Sequence, residues 1–305
     1  MKKEISEPQG FGFKSEIDLI KFVDRFTVPP FSVFDTRQGY WQSRKSEWIN
    51  LGIESDIGRN SNLIGYSKLT LLKGKSGTSV FDPVLCEISY SWFCPPGGKI
   101  LDPFAGGSVR GIVAAILGYS YTGIDLRQAQ IDENEKQWKE IKKKKIANDK
   151  PVPKWICGNA LDIQKITNKQ YDLIFTCPPY GDLEKYSDDP ADLSNMPWED
   201  FLEAYFEITK ESCSLLKEDR FAVIIVSDFR DRNGFYRKFP LHTINAFETG
   251  KCLLYNDGIL VTAVGSLPIR TGKFFEPSRK LGKTHQNYLV FYKGDPKNIR
   301  NLFKI

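Results

Sequence analysis

The stretch Thr-Cys-Pro-Pro-Tyr at residues 176–180 combines residue types that could do chemistry at the end of a strand. It follows the apolar run at residues 171–175, which is typical of a buried strand. Two consecutive prolines donate no backbone hydrogen bonds and fix two φ angles, so they form a rigid corner without donors. The corner freezes a backbone carbonyl as an acceptor, and Tyr180 beside it offers an aromatic face for stacking.

A second set of polar residues begins in the segment KILDPFAGGSVRGIVAA, residues 99–115. It predicts a strand, a turn of small residues and a helix, and Gly106-Gly107 lets a ligand approach the backbone closely. The segment is neither the GxGxxG of dinucleotide binding nor a Walker sequence, so a phosphate cradle is disfavoured. The carboxylate of Asp102 at the strand end suits a ligand ammonium group better than a pyrophosphate.

Two further strand ends extend this pattern along the chain. Asp125 ends the strand in YTGIDL about twenty residues on, where α/β folds place an acid that binds ribose hydroxyls. Asn159 follows the strand in WIC and offers a carbonyl acceptor to an amino group such as that of adenine. Each residue alone could be a cap or turn residue. An ammonium, a ribose and an amino-purine in this order predict S-adenosylmethionine as the cofactor.

The elements that must position these residues alternate between strands and helices from about residue 98. The predicted strands are 99–103, 121–125, 155–158, 172–176, 221–227, 259–264 and 288–292. The predicted helices are 107–117, about 128–147, and one within 196–217. This alternation predicts βαβ units and a mostly parallel sheet covered on both faces. We expect a long loop between the last two strands.

The motifs, in this order, resemble the amino-methyltransferases of DNA, which methylate N6 of adenine or N4 of cytosine through a [D/N/S]-P-P-[Y/F/W] motif. Several sequence segments are similar to those of phage and prophage DNA methylases, which carry segments like RQGYWQ, FDPVLCE, DPFAGGSVRG, CPPYGDLEKYSDDP, GSLPIR and HQNYLVFYKGDP. The resemblance spans about residues 28–297. It implies a Rossmann-like methyltransferase fold with a seven-stranded, mostly parallel sheet whose last strand is antiparallel.

The resemblance also implies roles for individual residues. The catalytic candidates are Cys177, Pro178, Pro179 and Tyr180, with Tyr180 stacking on a base flipped out of duplex DNA. The candidates for binding S-adenosylmethionine, and its product S-adenosylhomocysteine, are Phe81, Asp102, Pro103, Phe104, Ala105, Gly106, Gly107, Asp125, Leu126, Asn159, Ala160 and Thr176. Phe81 and Asp82 would wall the methionine end of the cofactor. A helix N-cap role for Asp82, ahead of Pro83, fits equally well.

The chain departs from the family pattern at Cys177, where Asp, Asn or Ser is usual. A thiol accepts hydrogen bonds weakly, so either backbone carbonyls orient the amine or Thr176 and Asp182 assist. Cys177 as the nucleophile of C5-cytosine methylation is disfavoured, because in those enzymes the cysteine follows the proline. The choice between N4 of cytosine and N6 of adenine stays open. In the cofactor turn, AGGSV replaces the commoner AGSGT but keeps its small residues.

Contacts with nucleic acid are expected from the loops at about 181–195, 230–239 and 266–286. The basic candidates there are Arg230, Arg232, Arg270, Lys273, Arg279, Lys280 and Lys283, which suit phosphates and guanine edges. A plain solvated loop is the alternative for residues 266–286. We divide the chain into an irregular, aromatic and basic N-terminal extension (1–78), a methyltransferase domain (79–297) and a C-terminal tail (298–305).

Composition sets the remaining limits. The chain has 305 residues, 41% hydrophobic and 27% charged, with a net charge of +5 that permits a nucleic-acid partner. The start shows no signal-peptide h-region and the longest apolar run, 221–226, is too short to span a bilayer, so we expect a cytoplasmic protein. Six cysteines without CxxC spacing and two histidines predict no metal site. Monomer and homodimer both stay open.

Two other functions compete with DNA methylation. An S-adenosylmethionine-dependent enzyme acting on RNA or a free nucleotide could use the same proline corner. A catalytically silent nucleic-acid-binding protein could keep the fold, and only Cys177 favours it.

Overall fold

The structure, a computed structural model, describes residues 23–53, 81–144, 147, 149–183, 186–265 and 267–303. Residues 1–22 and 54–78 of the predicted extension lie outside the described residues, as do residues 79–80, parts of the 181–195 and 266–286 segments and the end of the tail. The side chains of Asp182 and Arg270 also lie outside them.

Eight strands and nine α-helices form the described part of the chain from residue 33 onward. The strands are β1 (Val33–Asp35), β2 (Lys99–Asp102), β3 (Ser120–Asp125), β4 (Lys154–Cys157), β5 (Tyr171–Thr176), β6 (Leu216–Val226), β7 (Leu253–Val261) and β8 (His285–Lys293). The helices are α1 (Gly39–Asn50), α2 (Pro83–Phe93), α3 (Val109–Ile116), α4 (Gln128–Lys143), α5 (Ile163–Ile166), α6 (Trp198–Leu215), α7 (Phe239–Thr249), α8 (Leu267–Ser278) and α9 (Ile299–Leu302).

All eight strands belong to one sheet with the order β1-β7-β8-β6-β5-β2-β3-β4. β8 is antiparallel to both of its neighbours, whereas the remaining neighbours pair in parallel. The predicted Rossmann-like methyltransferase fold is therefore confirmed, including its antiparallel last strand. The sheet has one strand more than expected, because β1 from the N-terminal region adds to the edge of β7.

The sheet is covered on both faces, as the strand pattern predicts. Neighbouring residues point alternately into two cores: Ile100 lies in the core under α1 to α4, and Leu101 lies in the core under α5 to α7. Helix α3 approaches the sheet so closely that a Cβ atom on Gly111 would lie 2.5 Å from the Trp155 ring. Tyr121 lies 3.0 Å from the same point, so a glycine at this position lets α3 pack closely against the first residues of β3 and β4.

The strand order reverses between β2 and β5, and this reversal positions the site. From β2 the chain continues outward to β3 and β4, whereas from β5 it continues in the opposite direction to β6. The loops after β2 and β5 consequently leave the sheet toward opposite faces. In open α/β sheets ligands bind in the crevice that forms at such a switch point, beyond the carboxyl ends of the strands.

The expected long loop at residues 266–286 is wrong in its first half, because residues 267–278 form helix α8. Pro268 lies in the first turn of α8, where the missing N–H group is not needed, so it does not interrupt the helix. Thr271 Oγ1 donates to Leu267 O at 2.8 Å within the same turn. Smaller differences are that β7 begins and ends earlier than predicted, and that α4 ends at Lys143 rather than near Ala147.

Candidate active site

A cleft with a volume of about 460 Å³ opens at the carboxyl ends of β2 to β5. Its size falls in the range of small-molecule sites. The predicted site residues that line it are Phe81, Pro103, Phe104, Ala105, Gly106, Gly107, Asp125, Leu126, Asn159, Ala160, Cys177, Pro178, Pro179 and Tyr180. The cleft thus brings the two separately identified motifs together around one space.

Asp102 and Thr176 do not line the cleft but lie buried beneath it. The Asp102 carboxylate accepts hydrogen bonds from Thr176 Oγ1 at 2.6 Å, Tyr121 OH at 2.7 Å and Phe104 N at 3.2 Å. It also forms an ion pair with Arg110 Nε at 2.7 Å. These groups enclose both oxygens and Asp102 does not line the cleft, so a direct contact with a ligand ammonium group, as expected from the sequence, does not fit. Asp102 instead organises the turn after β2.

Arg110 is the centre of this buried cluster, and the sequence reading did not identify it. Its Nη2 atom donates to Phe104 O at 2.5 Å and to Ala105 O at 2.6 Å, so it holds the carbonyls of the small-residue turn. Its guanidinium lies 4.8 Å from the centroid of the Phe81 ring. Burial lowers the pKa of Arg110, but the Asp102 charge outweighs burial and the pKa is raised. The guanidinium therefore stays charged.

The turn after β2 and the end of β3 contact each other through Asp125. Gly106, which has a φ angle of +52°, donates its N–H to Asp125 Oδ2 at 3.1 Å, and Arg127 N donates to Oδ1 at 2.9 Å. Each oxygen thus accepts one hydrogen bond from the backbone, and Arg127 Nε forms a longer ion pair with Oδ1 at 3.7 Å. Burial raises the pKa of Asp125. The arrangement suits a neighbouring pair of hydroxyl groups, each donating to one oxygen.

Asn159 at the end of β4 has a local role besides any ligand contact. Its Oδ1 atom accepts from Leu161 N at 3.0 Å and caps the short helical turn at Ala160–Asp162. The carbonyl that the sequence assigned to an amino group is therefore already engaged once. One acceptor position and the two amide hydrogens remain for a ligand.

Asp82 has the N-cap role that was considered for it, and it also lies in the cleft lining. Asp82 Oδ1 accepts from Val84 N at 3.0 Å and caps α2, with Pro83 as the first helical residue. Its Oδ2 atom accepts from Trp41 Nε1 at 3.1 Å and from Lys45 Nζ at 3.0 Å, while Asp82 also lines the cleft. Helix α1 of the N-terminal region thereby supplies one wall. The residues of this wall that sequence reasoning missed are Thr36, Gln42 and Lys45.

The proline corner is bounded by a tethered tyrosine. Tyr180 OH accepts from Gln286 Nε2 at 3.1 Å and lies 4.0 Å from Cys177 Sγ. Its ring meets the Phe229 and Phe239 rings edge-on at centroid distances of 6.0 and 6.1 Å. Burial raises the pKa of Tyr180 well above its usual value, so the phenol stays protonated. Nothing in the residue spacing could have identified Gln286, because it comes from the distant strand β8.

The basic candidates for nucleic-acid contact whose side chains the structure describes lie outside the cleft lining. Arg230 and Lys283 meet at the Tyr236 ring, with the Arg230 guanidinium 4.0 Å and the Lys283 ammonium 5.7 Å from its centroid. Arg279 lies over Phe275, one turn before the end of α8, at 5.4 Å. Arg232 and Lys273 are exposed, and Lys280 is half-buried.

Within the described residues, no group of three or more His, Cys, Asp and Glu side chains could hold a metal ion. No helix formed by those residues is long and apolar enough to cross a bilayer.

No protein-family model matches the chain, and no curated protein matches its sequence. Several solved structures are similar in fold. TrmN from Thermus thermophilus aligns at 15% identity with a TM-score of 0.47, over 69% of this chain and 48% of TrmN, so the chain spans about half of that protein. A methyltransferase from Pyrococcus furiosus aligns at 13% identity with a TM-score of 0.46, over 83% of this chain and 98% of the other.

A third similar structure is the magnesium protoporphyrin IX methyltransferase of Synechocystis PCC 6803 with bound SAM. It aligns at 11% identity with a TM-score of 0.42, over 72% of this chain and 86% of the other. Similarity at such identities and TM-scores does not identify an activity. Evidence for an activity has to come from the residues of the cleft.

Proposed function

We propose that the chain is an S-adenosylmethionine-dependent DNA methyltransferase. It would transfer a methyl group to the exocyclic amine, N4 of cytosine or N6 of adenine, of a base flipped out of duplex DNA. The observation that carries the proposal is that one cleft is lined both by the turns after β2, β3 and β4 and by the Cys177–Tyr180 corner.

The chemistry of the cleft walls fits the proposed cofactor. The Asp125 carboxylate lines the cleft and accepts one backbone hydrogen bond on each oxygen, so it would have acceptor capacity for the two hydroxyls of a ribose. The turn at Gly106-Gly107 leaves room for a close approach to the backbone. Asn159 would contact the adenine amino group, and Phe81 and Asp82 would border the methionine end. When bound, S-adenosylmethionine supplies an electrophilic methyl group.

The proline corner would prepare the base. An exocyclic amine is a poor nucleophile because its lone pair is delocalised into the ring. The backbone carbonyls beside Pro178 and Pro179 have fixed directions, so they would accept the amine hydrogens and localise the lone pair toward the methyl group. Tyr180 would stack on the base. A weak acceptor at Cys177 leaves most of this orientation to the backbone.

The substrate class is tested with S-adenosylmethionine carrying a tritiated methyl group. The purified protein is incubated separately with duplex DNA of mixed sequence, with RNA, and with free nucleotides, and label is counted in each. Label in the DNA alone is the expected result. Label in RNA or nucleotides without label in DNA would contradict the proposal and favour the competing enzyme class.

A further inference from the structure

A short hairpin at residues 229–237 projects beside the cleft, and its backbone is fixed by hydrogen bonds. Arg237 N donates to Phe229 O, and Asp231 N donates to Phe235 O, both at 2.8 Å. Phe235 N in turn donates to Asp231 Oδ1 at 2.8 Å. Gly234 closes the turn with a φ angle of +92°, which favours glycine. The direction of each side chain at the tip is therefore set by a defined backbone.

The hairpin is braced by cations. The Arg230 guanidinium stacks on the Tyr236 ring and donates through Nη1 to Gly234 O at 2.8 Å. Lys283, which precedes β8, contacts the same ring, and the Lys280 side chain lies against Gly234. These contacts tie the hairpin to the segment between α8 and β8.

Two connections place the hairpin next to the Cys177–Tyr180 corner. At its base, the Phe229 ring meets the Tyr180 ring at 6.0 Å. Through the bracing segment, Gln286 follows Lys283 by three residues and donates to Tyr180 OH. Phe235 lies two residues along the hairpin from its base, a distance of ~7 Å in an extended strand.

Phe235 is the unusual residue of the hairpin. Its side chain is 75% exposed, the highest value for a large hydrophobic side chain among the described residues. Its ring contacts no other aromatic ring of those residues. A single exposed apolar residue is ordinary, but this one sits on a rigid tip among cations. The basic residues are Arg230, Arg232, Arg237, Lys238, Lys280 and Lys283, against the acidic Asp228 and Asp231.

We infer that the 229–237 hairpin contacts duplex DNA and that Phe235 inserts into or against the base stack beside the flipped base. This inference rests on the proposed function. The Phe229 ring at the hairpin base lies 6.0 Å from the Tyr180 ring, and Phe235 lies ~7 Å farther along the hairpin. Successive bases of one strand are ~3.4 Å apart, so the tip lies within about four base steps of the target. An aromatic wedge there compensates for the stacking lost when the base leaves the helix, and the surrounding cations suit the flanking phosphates.

The test measures binding of a fluorescently labelled duplex by anisotropy, with S-adenosylhomocysteine present and at several salt concentrations. Phe235→Ala is expected to lower the affinity roughly 5- to 150-fold, the equivalent of one base–aromatic stack. It leaves the slope of log affinity against log salt unchanged. Arg232→Ala is expected to reduce that slope by about one, because it removes a phosphate contact. Affinity for S-adenosylhomocysteine stays at the wild-type value in both variants.

A second variant reports on stacking directly. Phe235→Trp should keep the duplex affinity, and its added indole emission should be quenched when the duplex binds. Leu253→Trp is the matched control, because Leu253 is 62% exposed and is the first residue of β7. It pairs with Tyr292, at the end of β8 away from Gln286, so the emission of a Trp at position 253 should not change. Unchanged emission from Trp at position 235, or wild-type affinity in Phe235→Ala, would overturn the inference.

The inference and the proposed function can fail separately. If the wild-type protein methylates DNA and Phe235→Ala retains full duplex affinity, the role of Phe235 is contradicted and the proposed function stands. A wild-type protein that methylates no DNA, while Phe235→Ala still loses duplex affinity, removes the function and leaves the DNA contact. Loss of affinity in Phe235→Ala for RNA alone would overturn the choice of duplex DNA.

Discussion

Thr176 donates its hydroxyl hydrogen to Asp102 Oδ1 at 2.6 Å, and this contact joins the last residues of β5 and β2. The ladder between these strands records only two residue pairs, Ile100 with Leu173 and Leu101 with Ile174. The side-chain contact continues the connection beyond the ladder, where the strands diverge around the cleft. A buried polar cluster, rather than backbone pairing, therefore holds the two halves of the site at a fixed separation.

Replacing Asp102 with alanine should destabilise the fold. The change leaves the buried Arg110 guanidinium without its counter-charge, a loss of about 3–5 kcal/mol in the free energy of unfolding. Urea denaturation measures it. Thr176→Val removes one hydrogen bond and keeps the charge pair, so it should cost only about 1 kcal/mol. Wild-type stability in Asp102→Ala, together with lost cofactor affinity, would instead make Asp102 a direct ligand.

Replacing Asp125 with asparagine should weaken cofactor binding, because one oxygen acceptor becomes a donor. A hydrogen bond to a charged group contributes about 1.5–3 kcal/mol, so calorimetry should show roughly a 10-fold or larger loss of affinity. Leu161→Ala is the control, because Leu161 is exposed and outside the cleft lining.

The wild-type affinity should also depend on pH. Burial raises the pKa of Asp125, so lowering the pH protonates this carboxylate earlier than an exposed one. Protonation removes an acceptor, so cofactor affinity should fall as the pH is lowered from ~7 toward ~4. Asp125→Asn has no carboxylate at this position and should lose that part of the dependence. Parallel pH profiles in the two proteins would show that Asp125 does not bind the cofactor.

Tyr180→Ala should lower the rate of methyl transfer more than it lowers cofactor affinity. The stack on the base that it removes is worth about 1–3 kcal/mol. Tyr180→Phe keeps the ring and removes the hydroxyl contacts with Gln286 and Cys177 Sγ, so it should retain most of the activity. Equal rates for Tyr180→Ala and the wild type would contradict the placement of the base.

The contact between α1 and α2 should affect both the free energy of unfolding and the affinity of the cleft for the cofactor. Buried Glu87 accepts from Trp48 Nε1 at 2.6 Å and from Arg44 Nε at 2.8 Å. Glu87→Ala leaves the buried Trp48 N–H unpaired, whereas Arg44 keeps its pair with Glu47, so the change should cost about 1–3 kcal/mol. Because α1 carries Gln42 and Lys45 to the cleft, cofactor affinity should fall as well. Glu140→Gln, which breaks an exposed pair on α4, should change neither quantity.

Strands β2 to β5 could be predicted because each of them is an apolar run followed by a polar strand end. That pattern is local, and it identified Gly106, Asp125 and Cys177 on the cleft wall. Helix α8 was missed because Pro268 and Gly272 are typical of loops, whereas proline is tolerated in a first helical turn.

Contacts between distant parts of the chain could not be read from spacing. Arg110 follows Asp102 by eight residues and pairs with it only because α3 folds back on β2. Gln286 reaches Tyr180 across 106 positions. The Asp102 carboxylate contacts Tyr121, Thr176 and Arg110, which come from three separate elements. The sequence could therefore suggest a ligand role for Asp102 that the packing does not support.

Methylation of an exocyclic base amine leaves a modified nucleoside, and the identity of that nucleoside tests the proposed reaction. Duplex DNA is incubated with the protein and S-adenosylmethionine labelled with carbon-13 in the methyl group, digested to nucleosides, and resolved by mass spectrometry. Labelled N4-methylcytosine or N6-methyladenine is the expected product. Labelled 5-methylcytosine, or no labelled nucleoside from a protein that binds the cofactor, would contradict it.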